Sequence, residues 1–225
     1  EPTGSPTSID LAERYAVPDD GQAYVKDGFF CVQDRKICSI DNLKLPGAHN
    51  LENACAAISA ISELSCWSEL SDQMIARGLA DFTGLDHRLK FVREVGGVKY
   101  YDDSIATTPG SAIAALRSFD QPKIIILGGS EKGADYAEII ETAKEVRARV
   151  IAIGQTGRRM YELCKEKGVA VELLKNVNMR AIVKKARMQA NSGDVVILSP
   201  ASASFDMFKN AKDRGDQFVT AVEEL

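Results

Sequence analysis

The sequence lacks any apolar run near the roughly 20 residues that a bilayer-spanning helix needs, and its first residues lack a signal-peptide pattern. The sequence also lacks a large excess of either charge, with a formal net charge of -4 over 225 residues. This balance gives no general attraction to nucleic acid or anionic membranes. The five cysteines are scattered without CxxC spacing, which argues against a disulfide framework or a zinc site. We therefore expect a cytoplasmic protein with reduced thiols, no metal ligands, no membrane insertion and no nucleic-acid partner.

The chain changes character near residues 84–88. Before that point, β-prone runs at 23–32 and 36–45 are broken by the turn-forming pairs Asp27-Gly28 and Asp34-Arg35, a pattern that predicts a small antiparallel meander. Two helices are predicted after it, at 51–64 and 71–82. The meander has no evident strand partner upstream, and residues 1–10 show no recognisable element. We therefore expect this first unit to be part of a larger domain.

From Asp86 onward, strands and helices alternate with short connections, which is typical of a doubly wound, mostly parallel α/β sheet with helices on both faces. Gly96-Gly97 predicts a tight hairpin that adds one antiparallel strand. The predicted strands are 89–95, 99–103, 123–128, 150–154, 169–173 and 195–199. The predicted helices are 110–118, 136–147, 158–167, 179–189 and 205–224.

Ligands of open α/β sheets bind beyond the carboxyl ends of the strands, and polar residues cluster after three of the predicted strands. The first of these segments contains Asp103, Ser104 and Thr107. Thr108 before Pro109 also suits a helix cap, so part of this segment has a purely structural explanation.

Glycines and one lysine follow the strand at 123–128. Gly128 and Gly129 would let a ligand approach the backbone, and Lys132 offers a cation to a carboxylate or phosphate. The segment matches neither GxxxxGK[ST] nor GxGxxG, which excludes a P-loop or a dinucleotide fingerprint there. A glycine turn with a solvated lysine is the alternative.

Three serines, Ser199, Ser202 and Ser204, follow the last predicted strand. We expect them to open the final helix at 205, where hydroxyls and free amides would form an anion site.

In the first unit, Asn50 and Asn53 are three residues apart and fall on one helical face, where their amides could pair with a purine edge. Helix capping by Asn50 is the alternative.

Taken in order, these segments resemble those of the Mur ligases. Residues 47–54 (GAHNLENA) resemble the family's GxHNxxNxxAA element, and Asp86-His87-Arg88 resembles its DHR element. More specific are Asp103-Ser104 with Ala106-Thr107, and Leu127-Gly128-Gly129 followed by Lys132. Residues 198–208 (LSPASASFDMF), with Arg214-Gly215, are similar to the segment of the glutamate-adding members, commonly LSPACASFDxF.

The resemblance implies an ADP-forming ligase of peptidoglycan precursor synthesis. ATP would phosphorylate the carboxylate of UDP-N-acetylmuramoyl-alanine, and the amino group of glutamate would attack the acyl phosphate. Residues 1–84 would be the carboxy-terminal part of the central, ATP-binding domain, and 85–225 the Rossmann-like, glutamate-binding domain. The family's P-loop and magnesium ligands would lie amino-terminal to this chain, which we expect to be monomeric and inactive alone.

Matching positions assign the site residues that the resemblance implies. The nucleotide would be bound by Asn50, Asn53, Arg88 and Asp103. Glutamate would be bound by Thr107, Lys132, Ser204 and Asn210, with Lys132 and Ser204 at the catalytic centre.

Three positions depart from the family pattern. Ile105 stands where many relatives have a lysine, and Ala211 where some have an aromatic residue, so these two positions bear on which amino acid is added. Ser202 replaces the usual cysteine, a nearly isosteric change from which we expect little effect. The alternatives are a sister Mur ligase, a folylpolyglutamate-synthase-like ligase, or a non-catalytic α/β module that binds a nucleotide or acidic metabolite.

Overall fold

A computed structural model describes residues 22–33 and 35–225, and the chain divides into two compact units between Thr83 and Gly84. Residues 1–10, for which no element is predicted, lie outside the described residues. So does Asp34 of the predicted turn Asp34-Arg35.

The predicted meander is present in the first unit. Strands β1, β2 and β3 pair antiparallel in that order. Asp27 and Gly28 form the first turn with φ of 49° and 77°, as a two-residue hairpin with a right-handed twist requires. The strands are Ala23–Lys26, Phe29–Val32 and Arg35–Ser39.

Two helices complete the first unit, α1 (Ala48–Ser62) and α2 (Asp72–Asp81), with short 3-10 turns at Ile40–Asn42 and Trp67–Glu69. Ser71 caps α2 by accepting a hydrogen bond from Met74 N–H. Buried Phe30 and Ile58 belong to a single core that the helices share with the meander.

The second unit contains a six-stranded sheet in the order β4-β5-β9-β6-β7-β8. Only the edge pair β4–β5 is antiparallel, and Gly96-Gly97, both with positive φ, form its hairpin as predicted. The strands are Lys90–Val95, Val98–Asp102, Lys123–Gly128, Arg149–Ile153, Val171–Leu173 and Val195–Leu198.

Five helices cover both faces of this sheet: α3 (Pro109–Arg117), α4 (Ala137–Glu145), α5 (Gly154–Lys167), α6 (Met179–Gln189) and α7 (Ala211–Glu223). Side chains of a strand alternate between faces. Ile124 and Ile126 accordingly pack in the cluster that includes α6 and α7, whereas Ile125 and Leu127 pack with α3, α4 and α5. The predicted α/β fold class is confirmed.

The predicted start of the last helix at 205 is wrong, because α7 begins at Ala211, where Asn210 Oδ1 accepts a hydrogen bond from Asp213 N–H. Long-range contacts hold the preceding segment outside the helix. Asp206 Oδ2 accepts from the backbone N–H of Gln155, 51 residues away in sequence. Helix α5 also begins earlier than predicted, at Gly154 rather than 158.

The cysteines are free, and Cys31, Cys55 and Cys164 are buried. Burial raises the pKa of Cys55 to about 11 and of Cys164 to about 12, so both are neutral thiols at pH 7. In the described part of the chain, no helix combines the length and apolarity needed to cross a membrane.

Candidate functional site

The three strand ends singled out in the sequence lie side by side, because β9 inserts between β5 and β6. Backbone hydrogen bonds join the loops that follow these strands. Ala201 N–H donates to Ala106 O at 2.9 Å, and Ser130 N–H donates to Ala203 O at 2.8 Å. The polar segments therefore form one surface at the carboxyl edge of the sheet.

Gly128 and Gly129 allow neighbouring protein backbone, rather than a ligand, to come close. A Cβ at Gly128 would lie 2.0 Å from Ile153 O, and one at Gly129 would lie 2.1 Å from Ala203 O. Both also have positive φ, of 120° and 157°. The sequence interpretation of these glycines as room for a ligand is therefore replaced by a packing role.

The three serines do not form an anion site at a helix start, because the α7 amides begin only after Asn210. Ser199 Oγ donates to Asp103 Oδ2 at 2.6 Å, and Ser202 Oγ has two hydroxyl neighbours. Ser204 Oγ is buried and has no hydrogen-bond partner among the described residues. One of the three hydroxyls thus keeps its bonding capacity for another group.

Arg214, on α7, is fully buried beneath this surface. Its Nε donates to Ser104 Oγ at 3.0 Å, Nη2 to Ser104 O at 2.7 Å, and Nη1 to Ser202 O at 3.0 Å. Burial lowers the pKa of Arg214 to about 10, an effect that the charges of Asp206 and Asp102 oppose, so the side chain remains a cation at pH 7.

Asp103, predicted to contact the nucleotide, is buried and has both carboxylate oxygens engaged. Oδ1 accepts from Leu89 N–H at 3.0 Å, and Oδ2 accepts from Ser199. Desolvation raises the pKa of Asp103 from 3.8 to about 6, against the lowering effect of these hydrogen bonds. Arg88, beside Leu89 in sequence, is exposed. In this structure Asp103 therefore fixes the segment that presents Arg88.

The residues predicted to bind glutamate differ in exposure. Lys132 and Thr107 are exposed, and Ser204 is buried. Lys132 Nζ lies 5.8 Å from the ring centroid of Phe205, which places this lysine beside the β9 loop. Lys132 has no ion pair among the described residues. Asn210 uses its Oδ1 to cap α7.

In the first unit, Asn50 and Asn53 share one face of the first turns of α1, as predicted. Asn53 Nδ2 donates to Asn50 Oδ1 at 3.2 Å, and Asn50 Nδ2 donates to Pro46 O at 2.8 Å. Asn50 does not cap α1, because Gly47 occupies the cap position.

Sequence reasoning gave no role to a pair formed by half-buried His87 and buried Asp102 in the second unit. His87 Nδ1 lies 2.7 Å from Asp102 Oδ2, and the His87 carbonyl accepts from Ile105 N–H at 3.1 Å. Gly215 makes room for this ring, since a Cβ there would lie 2.2 Å from His87 Nδ1. Both residues of this contact belong to motifs named above, His87 to Asp86-His87-Arg88 and Gly215 to Arg214-Gly215. They are 128 positions apart, so no local sequence pattern could indicate that they meet.

A doubly wound sheet with this polar surface at its carboxyl edge defines a class of ligand-binding α/β domain, and the sequence pattern of the Mur ligase, glutamate ligase domain, matches residues 87–202. The chain belongs to the Mur ligase family.

Its curated relatives include two proteins named UDP-N-acetylmuramoylalanine–D-glutamate ligase. The one from Caldanaerobacter subterraneus is 38% identical over 90% of this chain and 44% of the relative. The one from Pelotomaculum thermopropionicum is 41% identical over 84% of this chain and 40% of the relative. The chain thus spans less than half the length of these relatives.

The bifunctional folylpolyglutamate synthase/dihydrofolate synthase from Yersinia pestis is a solved structure with the same fold. The TM-score is 0.59 at 20% identity, over 89% of this chain and 45% of that protein.

We predict that Arg214→Lys lowers the free energy of unfolding by about 2–4 kcal/mol, because an ammonium cannot reproduce the three-point bonding of the guanidinium. Chemical denaturation measures the loss. The matched control is Arg158→Lys, at an exposed position paired with Glu162, for which the change should stay within about 0.5 kcal/mol. Equal effects at the two positions would contradict the role assigned to Arg214.

We predict that Asp103→Asn removes a pH dependence of stability. Because the folded-state pKa of Asp103 lies near 6, above the ordinary 3.8, its contribution is fully present below about pH 4 and is lost as the pH rises through 6. The wild type should therefore lose roughly 2.5 kcal/mol relative to Asp103→Asn between pH 4 and 7. Denaturation curves of the two proteins across this range check the difference, and parallel stability profiles would refute it.

Proposed function

We propose that this chain is the carboxy-terminal part of an ATP-dependent ligase that adds D-glutamate to UDP-N-acetylmuramoyl-L-alanine. ATP phosphorylates the substrate carboxylate and leaves as ADP. The amino group of glutamate then attacks the acyl phosphate, releasing phosphate and a proton and leaving an amide. Membership of the Mur ligase family supports the reaction class, and the names of the curated relatives support the substrates.

The second unit binds the amino acid in this proposal. Glutamate brings two carboxylates, which need donors at separate points. Lys132 supplies a cation without an ion pair among the described residues, and Ser204 supplies a hydroxyl whose hydrogen-bonding capacity is unused. Thr107 adds an exposed hydroxyl on the adjoining loop. The unpartnered Ser204 Oγ is the observation that most favours a ligand here, because buried polar atoms are normally paired.

In this proposal each unit has its own nucleotide-binding residues. Asn50 and Asn53 present side-chain amides suited to the edge of adenine, and exposed Arg88 supplies a cation for the phosphate or ribose region. Asp103 acts on Arg88 indirectly, through its bond to Leu89 N–H. We assign no magnesium ligand to the described residues, where no group of three or more acidic, histidine or cysteine side chains is arranged to hold a metal ion.

Catalysis by this domain consists of positioning. When the amino group of a held glutamate faces the acyl phosphate, the reaction within the complex replaces a bimolecular encounter. Lys132 and Ser204 are the residues that fix glutamate, and Arg214 holds the loop that carries Ser204. The amino-acid preference is then set by whether a side-chain carboxylate can reach Lys132.

The substrate assignment is tested by measuring ligation by the full-length ligase that contains these residues, with D-glutamate, L-glutamate and meso-diaminopimelate in parallel. We expect a higher kcat/KM with glutamate than with the diamino acid, because a second ammonium on the substrate would be repelled by Lys132. The names of the curated relatives favour the D enantiomer. Preference for the diamino acid would point to a sister ligase. Binding of nucleotide without ligation of any amino acid would point to a non-catalytic module.

We predict that Lys132→Ala in the same ligase raises the KM for glutamate by about 10- to 150-fold, corresponding to the loss of about 1.5–3 kcal/mol from a hydrogen bond to a charged group. Steady-state kinetics with glutamate varied at saturating ATP measure the effect. Lys165→Ala is the matched control, because Lys165 is an exposed lysine in the last turn of α5. This variant should leave the KM unchanged. If Lys132→Ala also leaves the KM unchanged, Lys132 does not belong to the site.

A further inference from the structure

A chain of buried hydroxyl groups joins two loops of the candidate site. Ser202 Oγ lies 3.0 Å from the Tyr136 hydroxyl and 3.3 Å from Thr156 Oγ1. Thr156 Oγ1 also accepts a hydrogen bond of 3.0 Å from Gly129 N–H. All three hydroxyl-bearing residues are at most 3% exposed, so water does not compete for these bonds.

These linked hydroxyl groups contact both ends of residues 129–135, a segment that we call the Lys132 loop. At its start, Gly129 is held to Ser202 through Thr156. At its end, the loop leads into Tyr136, which bonds Ser202 directly. The Ser202 hydroxyl is therefore linked to both ends of the loop, in addition to the backbone hydrogen bond from Ser130 N–H to Ala203 O.

Ser202 itself is fixed, because its carbonyl accepts a hydrogen bond of 3.0 Å from Arg214 Nη1. Ser204 lies two residues further along the same loop. The buried Ser202 hydroxyl and the backbone bond between Ser130 and Ala203 thus together hold the Lys132 loop relative to Ser204.

We propose that Ser202 is a positioning residue for the amino-acid substrate, whose hydroxyl sets the placement of the Lys132 cation relative to the Ser204 hydroxyl. This inference rests on the proposed function, since only there do Lys132 and Ser204 hold glutamate. A thiol is a weak donor and a weak acceptor. A cysteine at 202, the usual residue in the family, would hold the Lys132 loop less firmly than serine does here, contrary to the sequence expectation of little effect.

Kinetics of Ser202→Ala in the full-length ligase test the proposal. The KM for glutamate should rise about tenfold, the effect of losing one buried hydrogen bond, while kcat and the KM for ATP change less than about threefold. Ser202→Cys should fall between wild type and alanine. Tyr136→Phe should also raise the glutamate KM, and the double variant should fall short of the product of the single effects, because both changes break the same chain.

The control for a general loss of stability is Ile139→Val, a buried position in the same hydrophobic cluster that contributes no hydroxyl group. Its denaturation midpoint is expected to fall by a similar amount, and its glutamate KM should equal that of the wild type. A similar KM rise in Ile139→Val would overturn the positioning role.

Hydrogen exchange gives a readout that does not depend on catalysis. In Ser202→Ala the amide of Gly129 should exchange faster, whereas amides within α6 should keep the wild-type rate. If Lys132→Ala raises the glutamate KM and Ser202→Ala does not, the positioning proposal fails while the proposed function stands. If Lys132→Ala has no effect, Lys132 does not belong to the glutamate site and the positioning proposal fails with that assignment. Unchanged Gly129 exchange in Ser202→Ala would separately refute the mechanical link. The reaction itself is decided by the comparison of amino acids in the ligation assay.

Discussion

The buried guanidinium of Arg214 is the constraint on which the carboxyl edge of the second sheet depends. It bonds Ser104 after β5 and Ser202 after β9, two loops about 100 residues apart in sequence, from a helix that follows both. Removing the cation would leave two buried carbonyl oxygens without these donors, a cost that exceeds the small net gain of making the bonds. Among the described residues no carboxylate forms an ion pair with Arg214, so geometry rather than charge pairing gives this residue its position. That geometry brings the first turn of α7 against the loop of Ser104, whose Oγ donates to Ala211 O at 2.7 Å.

Two consecutive carboxylates extend this arrangement across the end of β5. Asp102 and Asp103 are both buried, and desolvation raises the pKa of each. Keeping either carboxylate ionised in the folded protein therefore costs free energy. Successive side chains point to opposite sides of a strand. Asp102 accordingly meets His87 and the α7 side, whereas Asp103 meets Leu89 N–H and Ser199. Together they fix the segment 87–89 from two directions, and Arg88 between these anchors is the residue left facing solvent.

How much of this could be predicted from sequence depends on the range of the interactions that decide it. Strand β6 and helix α6 were predicted to the residue, because an unbroken apolar run and a 3.6-residue periodicity are local signals. The meeting of three polar strand ends followed from the general rule for α/β sheets. The start of α7 was missed, because Asp206 is held by Gln155 N–H and Ser130 Oγ, contacts that no window around residue 205 contains. The partners of the three serines were unpredictable for the same reason, and so was the unpaired state of Ser204 Oγ.

The departures from the family pattern acquire a consistent physical meaning under the proposed function. Ile105 is 52% exposed and Phe205 is 68% exposed, so apolar surface flanks the proposed glutamate site, and Ile105 stands where the sequence resemblance implies a second cation. Phe205 lies beside the Lys132 ammonium. Partial exclusion of water by an apolar neighbour strengthens the attraction between an ammonium and a carboxylate. A single lysine in such surroundings can therefore recognise the side-chain carboxylate of glutamate without the second cation. Recognition of glutamate then depends on where that lysine is held. Under the proposed function, specificity is therefore determined by the buried hydroxyl groups of Ser202, Tyr136 and Thr156 rather than by the number of charges at the surface.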